Sequence, residues 1–274
     1  MKKLSRLLPV LALFASSSAL ATPSTVFWTP ATTSVQPYAV PHITYDTYVA
    51  EKKGFQNDYG LTLGVLPFEK LQAEIGVDSF LPGLQSASLL LNGKLAIPEN
   101  ALGEGIPGLS AGIFGVGFKS GISDYNILHA EIGKTFGAFG NVTVGGYYGV
   151  GLDLLGSDGN KTQGGFIGSY TSPDINLNLP GLNKIVLMAD IQTGKNAFGA
   201  VGGGIGLYFT PSIDILTGPV FFFDSSTTTQ LAAPSPARFA GSNPDWLWTV
   251  QLDVDFDLRP AKPAATPAAD PTKS

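Results

Sequence analysis

"WLWTVQLDVDF", residues 246–256, changes character at every step from Trp248 onward. Trp246, Trp248, Val250, Leu252, Val254 and Phe256 share one parity, and Thr249, Gln251, Asp253 and Asp255 share the other. A β-strand sends successive side chains to opposite faces, so this stretch reads as a strand with one apolar and one polar face. A second stretch, "AVGGGIGLYF" at residues 200–209, shows the same period with an unusual polar side. Val201, Ile205, Leu207 and Phe209 lie on one face with Gly203, while Gly202, Gly204 and Gly206 lie with Tyr208 on the other. Glycine weakens a strand, because it packs nothing and loses much entropy on folding. A nearly bare face therefore implies something that needs the space.

Composition narrows the class. The chain has no cysteine, 34 glycines in 274 residues, and only 14% charged residues; typical figures are ~7% glycine and roughly 25% charge. Its first residues, "MKKLSRLLPVLALFASSSALA", place Lys2, Lys3 and Arg6 before a short apolar run and a small-residue end at Ala21. This is the three-part pattern of a secretory signal, expected to be cleaved after Ala21. The net charge of −5 falls to −8 without those three bases, which argues against nucleic-acid binding. No stretch after residue 21 reaches 18 apolar residues, so a membrane would have to be crossed by strands.

Twelve segments carry the alternation expected of such strands. They are "HITYDTYVA" (42–50), "YGLTLGVL" (59–66), "LQAEIGVDSF" (71–80), "SASLLLNGKLAI" (86–97), "LSAGIFGVGF" (109–118), "YNILHAEIGK" (125–134), "VTVGGYYGVG" (142–151), "GGFIGSYT" (164–171), "KIVLMADIQT" (184–193), the glycine stretch, "SIDILTGPVFFF" (212–223) and the opening stretch. The fifth has a blurred period that points to a bulge, and Pro219 blemishes the eleventh. "PFEK", "FGAFGN" and "FTPS" are tight turns; "GLDLLGSDGNKTQGG" and "DSSTTTQLAAPSPARFAGSNPD" are longer loops on the opposite side. Two connections on the tight-turn side, "PENALGEGIPG" and "SPDINLNLPGLN", are longer than usual for periplasmic turns.

These features predict an all-β fold, an antiparallel transmembrane β-barrel of 12 strands with both termini periplasmic. A secreted β-sandwich would alternate similarly, but its polar faces would carry more charge and less glycine. Tyr59, Phe68, Tyr125, Phe136, Phe139, Phe209, Trp246 and Phe256 are placed as interfacial girdle residues. The expected organisation is a signal peptide at 1–21, an N-terminal periplasmic segment at 22–37 that could plug the lumen, the barrel at 38–258, and a disordered Pro/Ala-rich tail at 259–274.

The signal, the twelve segments and the closing "WTVQLDVDF" resemble the small twelve-stranded outer-membrane proteins of Gram-negative bacteria. Nearly all of the chain after residue 21 is covered by this architectural resemblance. The chain is also similar to uncharacterised members of that class in which "TP…T…VQP" precedes the first strand and a "YGVLPFEK"-like turn follows the second; here these read "TPATTSVQP" (29–37) and "LGVLPFEK" (63–70). Many such proteins end on an aromatic residue, whereas this chain continues past Phe256. The resemblance implies an outer-membrane location, porin- or transporter-like, and assembly by the barrel-assembly machinery, but no activity.

Parity names the lumen lining: Asp46, Glu74, Asp78, Lys94, His129, Glu131, Asp190, Gln192, Asp253 and Asp255, with His42 also inward. Either these acids line a narrow aqueous path that favours cations, or they are paired to fill a closed interior. Glu74 should approach Asn92 and Lys94 through the third hairpin. Barrel closure should bring Asp253 or Asp255 to His42, a possible seam pair of His42 with Asp255. Gly202, Gly204 and Gly206 should face Asp190, Gln192 and Met188, leaving volume for a pore or for a large side chain such as Tyr147 or Tyr208.

Recognisable catalytic chemistry is missing. "GGGIG" lacks the spacing of a dinucleotide loop, and "GKT" at 133–135 has Leu128 where a phosphate loop needs glycine. His129 with Glu131 is the best hydrolase candidate. The sequence is therefore read as a monomeric outer-membrane barrel, not an enzyme, with no cofactor and no metal. Its partners would be outer-membrane lipid and small polar solutes, cations preferred, with no nucleic acid. A closed structural or surface-interaction barrel and an outer-membrane hydrolase are the alternatives.

Overall fold

The computed structural model describes residues 24–50, 54–81, 89–224 and 245–259. The signal-peptide reading, the tail from residue 260 and the whole of 225–244 lie outside the described residues.

Thirteen strands follow one another: β1 (Pro41–Ala50), β2 (Gly54–Gly64), β3 (Gln72–Leu81), β4 (Leu89–Ile97), β5 (Gly108–Gly117), β6 (Asp124–Thr135), β7 (Asn141–Gly149), β8 (Gly164–Thr171), β9 (Ile175–Leu179), β10 (Leu182–Gln192), β11 (Ala200–Thr210), β12 (Ile213–Phe222) and β13 (Trp246–Asp255). Every pairing is antiparallel between neighbours, and β13 returns to β1 to close the sheet. Closure leaves no free edge in the wall, so the backbone hydrogen bonds are satisfied within it.

Twelve of these strands form the wall, and they correspond to the twelve alternating segments. The addition is β9, inside the stretch read as a long connection. Thr171 pairs with Met188 and Ile175 with Ile185, so β8 and β9 run along the same strand β10, interrupted at residues 172–174. The β9–β10 hairpin therefore projects past the end of β7. The blurred period of β5 is a bulge: its register shifts between Phe114 and Val116, and Gly115 takes φ 67°. Pro219 is accommodated opposite Trp248 in β12.

Outward positions are apolar around the whole wall. Ile43, Leu61, Ile75, Leu95, Leu109, Ile132, Val144, Leu187 and Val250 are each 40–57% exposed. Phe68, Phe136, Phe139, Phe209, Trp246 and Phe256 are likewise exposed. Two girdle assignments need correction. Tyr125 is fully buried in the interior, because β6 begins at Asp124 with the parity that turns Tyr125 inward. Tyr59 sits mid-strand beside Tyr45, because β2 starts at Gly54 rather than at Tyr59.

The interior is filled unevenly. Residues 24–40 enter it before β1 begins. Val26, Phe27, Val186, Met188, Leu216, Val220 and Leu247 belong to one apolar cluster, and Ala31, Tyr125, Ile127, Tyr147, Leu154 and Ile167 to a second. Both cores thus contain residues of the N-terminal segment. Leu154 comes from the β7–β8 connection, which is tied down by the amide of Ser157 donating to Asp224 and by Asn196 donating to the Thr162 carbonyl.

Candidate functional site: the lumen and the segment inside it

The interior carries the polar side chains that parity assigned to it. Asp46, Glu74, Lys94, His129, Glu131, Asp190, Gln192, Asp253, Asp255 and His42 are all buried, and Asp78 lines the cavity described below. Three further charged residues belong with them: Asp58, Asp214 and Lys184. Asp58 was missed because the second alternating segment began at Tyr59, five residues after the start of β2 at Gly54. Asp214 and Lys184 were legible, since they share the inward parity of Leu216 and of Met188 in their own strands.

At the seam, His42 stands opposite Asp255. Its Nδ1 lies 3.0 Å from Asp255 Oδ1 and its Nε2 3.1 Å from Asp253 Oδ1. One imidazole therefore bridges two carboxylates of β13 across the closing strand pair. Gln36 of the N-terminal segment donates from Nε2 to the same Asp255 oxygen at 2.8 Å.

Most remaining lumen groups hold the N-terminal segment. Asp190 Oδ2 accepts from three consecutive amides, Phe27 (3.1 Å), Trp28 (2.6 Å) and Thr29 (2.6 Å). Successive N–H groups turned toward one point form an anion-binding nest; here the anion is a side chain of the wall. Glu74 Oε2 accepts from the Ser24 hydroxyl at 2.7 Å and the Gln36 amide at 2.6 Å. Lys94 lies 3.9 Å from Glu74 and donates to the Ser24 carbonyl at 2.6 Å. The Ser110 hydroxyl donates to Glu131 and lies 3.1 Å from the Thr32 carbonyl, Ser169 donates to the Ala31 carbonyl, and Gln251 to the Phe27 carbonyl. The segment is therefore a loop folded within the lumen. Its ends meet at Glu74 and its apex, Phe27–Thr29, rests on Asp190.

The glycine face of β11 now has its occupant. Gly202 faces Asp190 and Gly204 faces Met188, but Gly206 faces Val186, while Gln192 faces Ala200. A Cβ on Gly202 would lie 2.8 Å from the Phe27 ring, and one on Gly204 would lie 2.9 Å from it. The space serves the segment. Tyr208 covers only Gly206, and Tyr147 lies on Gly165 of β8. Gly64 plays a similar part at the other end of the segment: a Cβ there would stand 2.2 Å from the carbonyl oxygens of Gln36 and Pro37.

Beside the segment remains a cavity of about 220 Å³. Its walls include Asp46 on β1, Asp58 on β2 and Asp78 on β3. Asp46 pairs directly with Asp58 across the sheet, and Asp78 faces Gly60, two residues along from Asp58. Three carboxylates thus lie on adjacent strands.

His129 and Glu131 interact directly, with Nδ1 2.5 Å from Oε1. The Ser110 hydroxyl donates to the other oxygen of Glu131. That hydroxyl is committed to the carboxylate rather than to the imidazole, so these three residues do not form the nucleophile–base contact of acyl transfer.

No protein-family model matches the chain, and no curated protein matches it. Solved structures similar to it include an outer membrane channel from Pseudomonas putida F1 (12% identity, 81% of this chain and 97% of that one, TM-score 0.39). Others are a mutant porin of Rh. blastica (14%, 73% and 55%, TM-score 0.32) and the N-terminal β-barrel domain of Pseudomonas aeruginosa OprF (10%, 81% and 100%, TM-score 0.21). A closed antiparallel wall, apolar outside and polar inside, is the arrangement that satisfies lipid and backbone together. The chain is a transmembrane β-barrel of the outer-membrane type.

Proposed function

We propose that this protein is an outer-membrane channel for small polar solutes, cations preferred, whose lumen is held closed by its own residues 24–40. The observation that carries this reading is the way the segment is held. Its apex and its ends are tied to the wall by polar contacts to Asp190, Glu74 and Asp255, beside the apolar packing of Val26, Phe27 and Ala31. Water can take over the polar contacts when the segment moves, so the cost of departure lies in the apolar packing of Val26, Phe27 and Ala31. Departure of the segment would uncover those carboxylates and join them to Asp46, Asp58 and Asp78 along one path. Rings of Asp and Glu favour cations.

A reversible lock tests the reading. The chain has no cysteine, so an introduced pair has no competitor. A Cβ on Gly108 would lie 3.1 Å from the Thr33 Cβ, a few tenths of an ångström short of the disulfide range of about 3.5–4.5 Å, so a small outward shift of the segment brings the pair to bonding distance. The Thr33→Cys/Gly108→Cys protein is refolded into lipid bilayers and its current recorded in asymmetric salt. Discrete cation-preferring steps under reducing conditions, abolished by oxidation, support a gated channel. Silence in both states, with heat-modifiable migration proving a folded barrel, supports a closed structural barrel instead.

A further inference from the structure

We propose that the cavity beside the N-terminal segment binds small organic cations, an ammonium group carried on a compact apolar body. This deepens the channel reading by naming a solute class, yet the binding itself needs no conduction.

The first argument is unbalanced charge. Asp46, Asp58 and Asp78 all line the cavity. The nearby bases are engaged elsewhere: His42 with Asp253 and Asp255, and Lys94 with Glu74 and the Ser24 carbonyl. Among the described residues, none of the three carboxylates has a base as ion-pair partner. Asp46 accepts from Thr44 at 2.6 Å and from the Tyr48 hydroxyl at 2.9 Å, and Asp78 accepts from Asn92 at 2.8 Å. Asp58 is only 6% exposed, and its Oδ1 has no hydrogen-bond partner. A buried carboxylate oxygen left without a donor is costly unless a partner arrives.

The second argument is the apolar wall. Trp28, Tyr48, Phe80 and Phe114 line the same cavity. Trp28 and Tyr48 meet edge to face at 5.8 Å, so the two rings present differently oriented surfaces. Aromatic faces attract cations through their quadrupoles, and most strongly where water is excluded. A hydrated metal ion would gain little from such walls. Nor do the carboxylates converge: among the described residues no group of three or more His, Asp or Glu is arranged to hold a metal ion. Carboxylates on one side with aromatic rings around them match an organic ammonium.

The test uses choline chloride and its neutral isostere 3,3-dimethyl-1-butanol, titrated calorimetrically into the refolded full-length barrel in detergent. Saturable choline binding is expected, with at least tenfold weaker affinity in Asp58→Asn and in Trp28→Leu. The alcohol should show no saturable binding, and sodium chloride should compete only through ionic strength. Equal binding of alcohol and choline, choline binding unchanged in Asp58→Asn, or no binding by a heat-modifiable barrel would each overturn the inference. Conductance is read separately in potassium chloride. A conducting barrel without choline binding overturns this inference alone, and a choline-binding barrel without conductance overturns the channel reading alone.

Discussion

The ring of Phe27 occupies the space that a side chain at Gly202 would fill, 2.8 Å from where the Cβ would stand. The two residues are separated by most of the chain, yet each explains the other. Gly202 is bare so that the wall can receive Phe27. Phe27 can lie flat on the wall because Gly204 is bare as well.

Enlarging Gly202 should therefore act on the segment first. The nearest obstacle to a Cβ there is the Phe27 ring, a side chain that can move. Gly202→Val is expected to displace Phe27 and raise channel open probability, with the barrel still heat-modifiable. At Gly204 the obstacle is the Thr217 carbonyl oxygen at 2.1 Å, part of the wall. Gly204→Val is expected to lower the unfolding temperature of the barrel itself. Bilayer recordings and heat-modifiability gels on the two variants separate the effects.

Asp190 holds the apex of the segment through three amides. Hydrogen bonds to a charged group contribute about 1.5–3 kcal/mol each. Asp190→Ala removes all three and leaves the amides of Phe27, Trp28 and Thr29 without their acceptor. The segment should become accessible: proteolysis near residues 27–29 is expected to accelerate at least tenfold, while the wall stays resistant. Unchanged cleavage would mean that the apolar cluster around Phe27 holds the apex without Asp190.

His42 bridges Asp253 and Asp255 at the β1–β13 seam. Breaking a buried pair by removing one partner costs about 3–5 kcal/mol. His42→Ala leaves two carboxylates on the same face of one strand, two positions apart, without their shared partner. The variant is expected to convert to the unfolded electrophoretic form at a lower temperature. Adding Asp255→Asn to His42→Ala should recover part of that loss.

Outside the wall, Glu99 gives a pH prediction. Burial alone would raise its pKa, but hydrogen bonds from Lys134 and Thr135 outweigh this and hold it below the ordinary carboxyl value. A carboxyl depressed in the folded state contributes stability that is present above its unfolded pKa and lost as pH falls through the folded value. The link from the 98–107 connection to β6, where Lys134 Nζ stands 2.9 Å from Glu99, should hold at neutral pH and loosen only below the ordinary carboxyl range. Carboxyl chemical shifts of Glu99 across pH 2–7 read this directly, and Lys134→Met should move the midpoint upward.

The wall was legible because its cause is local. Alternation such as Trp248-Thr249-Val250-Gln251 needs only the period of a strand and the contrast between lipid and lumen. The same rule pointed Glu74, Asp190 and Asp253 inward with no knowledge of their neighbours. It was set aside at Tyr125, which shares the inward parity of His129 and Glu131 but was assigned to the girdle from its place at a strand end, and it missed the true start of β2 at Tyr59 and Asp58. β9 was missed because it continues β8 across the break at residues 172–174, which only pairing with β10 reveals.

Alternation and hairpin register brought together inward groups of neighbouring strands, Glu74 with Lys94 and His42 with Asp255, but carried no information about groups from outside the wall. Asp190 binds residues 27–29 across a separation of more than 160 positions. Such a contact exists only once the barrel has closed and the segment has entered it. The run of glycines announced an empty face, but its occupant lay at the other end of the chain. Strand period, turn residues and the contrast of faces are properties of neighbouring residues, and the chain states them directly. The choice between an open acidic path and a filled lumen depends on which distant groups share the enclosed volume, and that volume exists only in three dimensions.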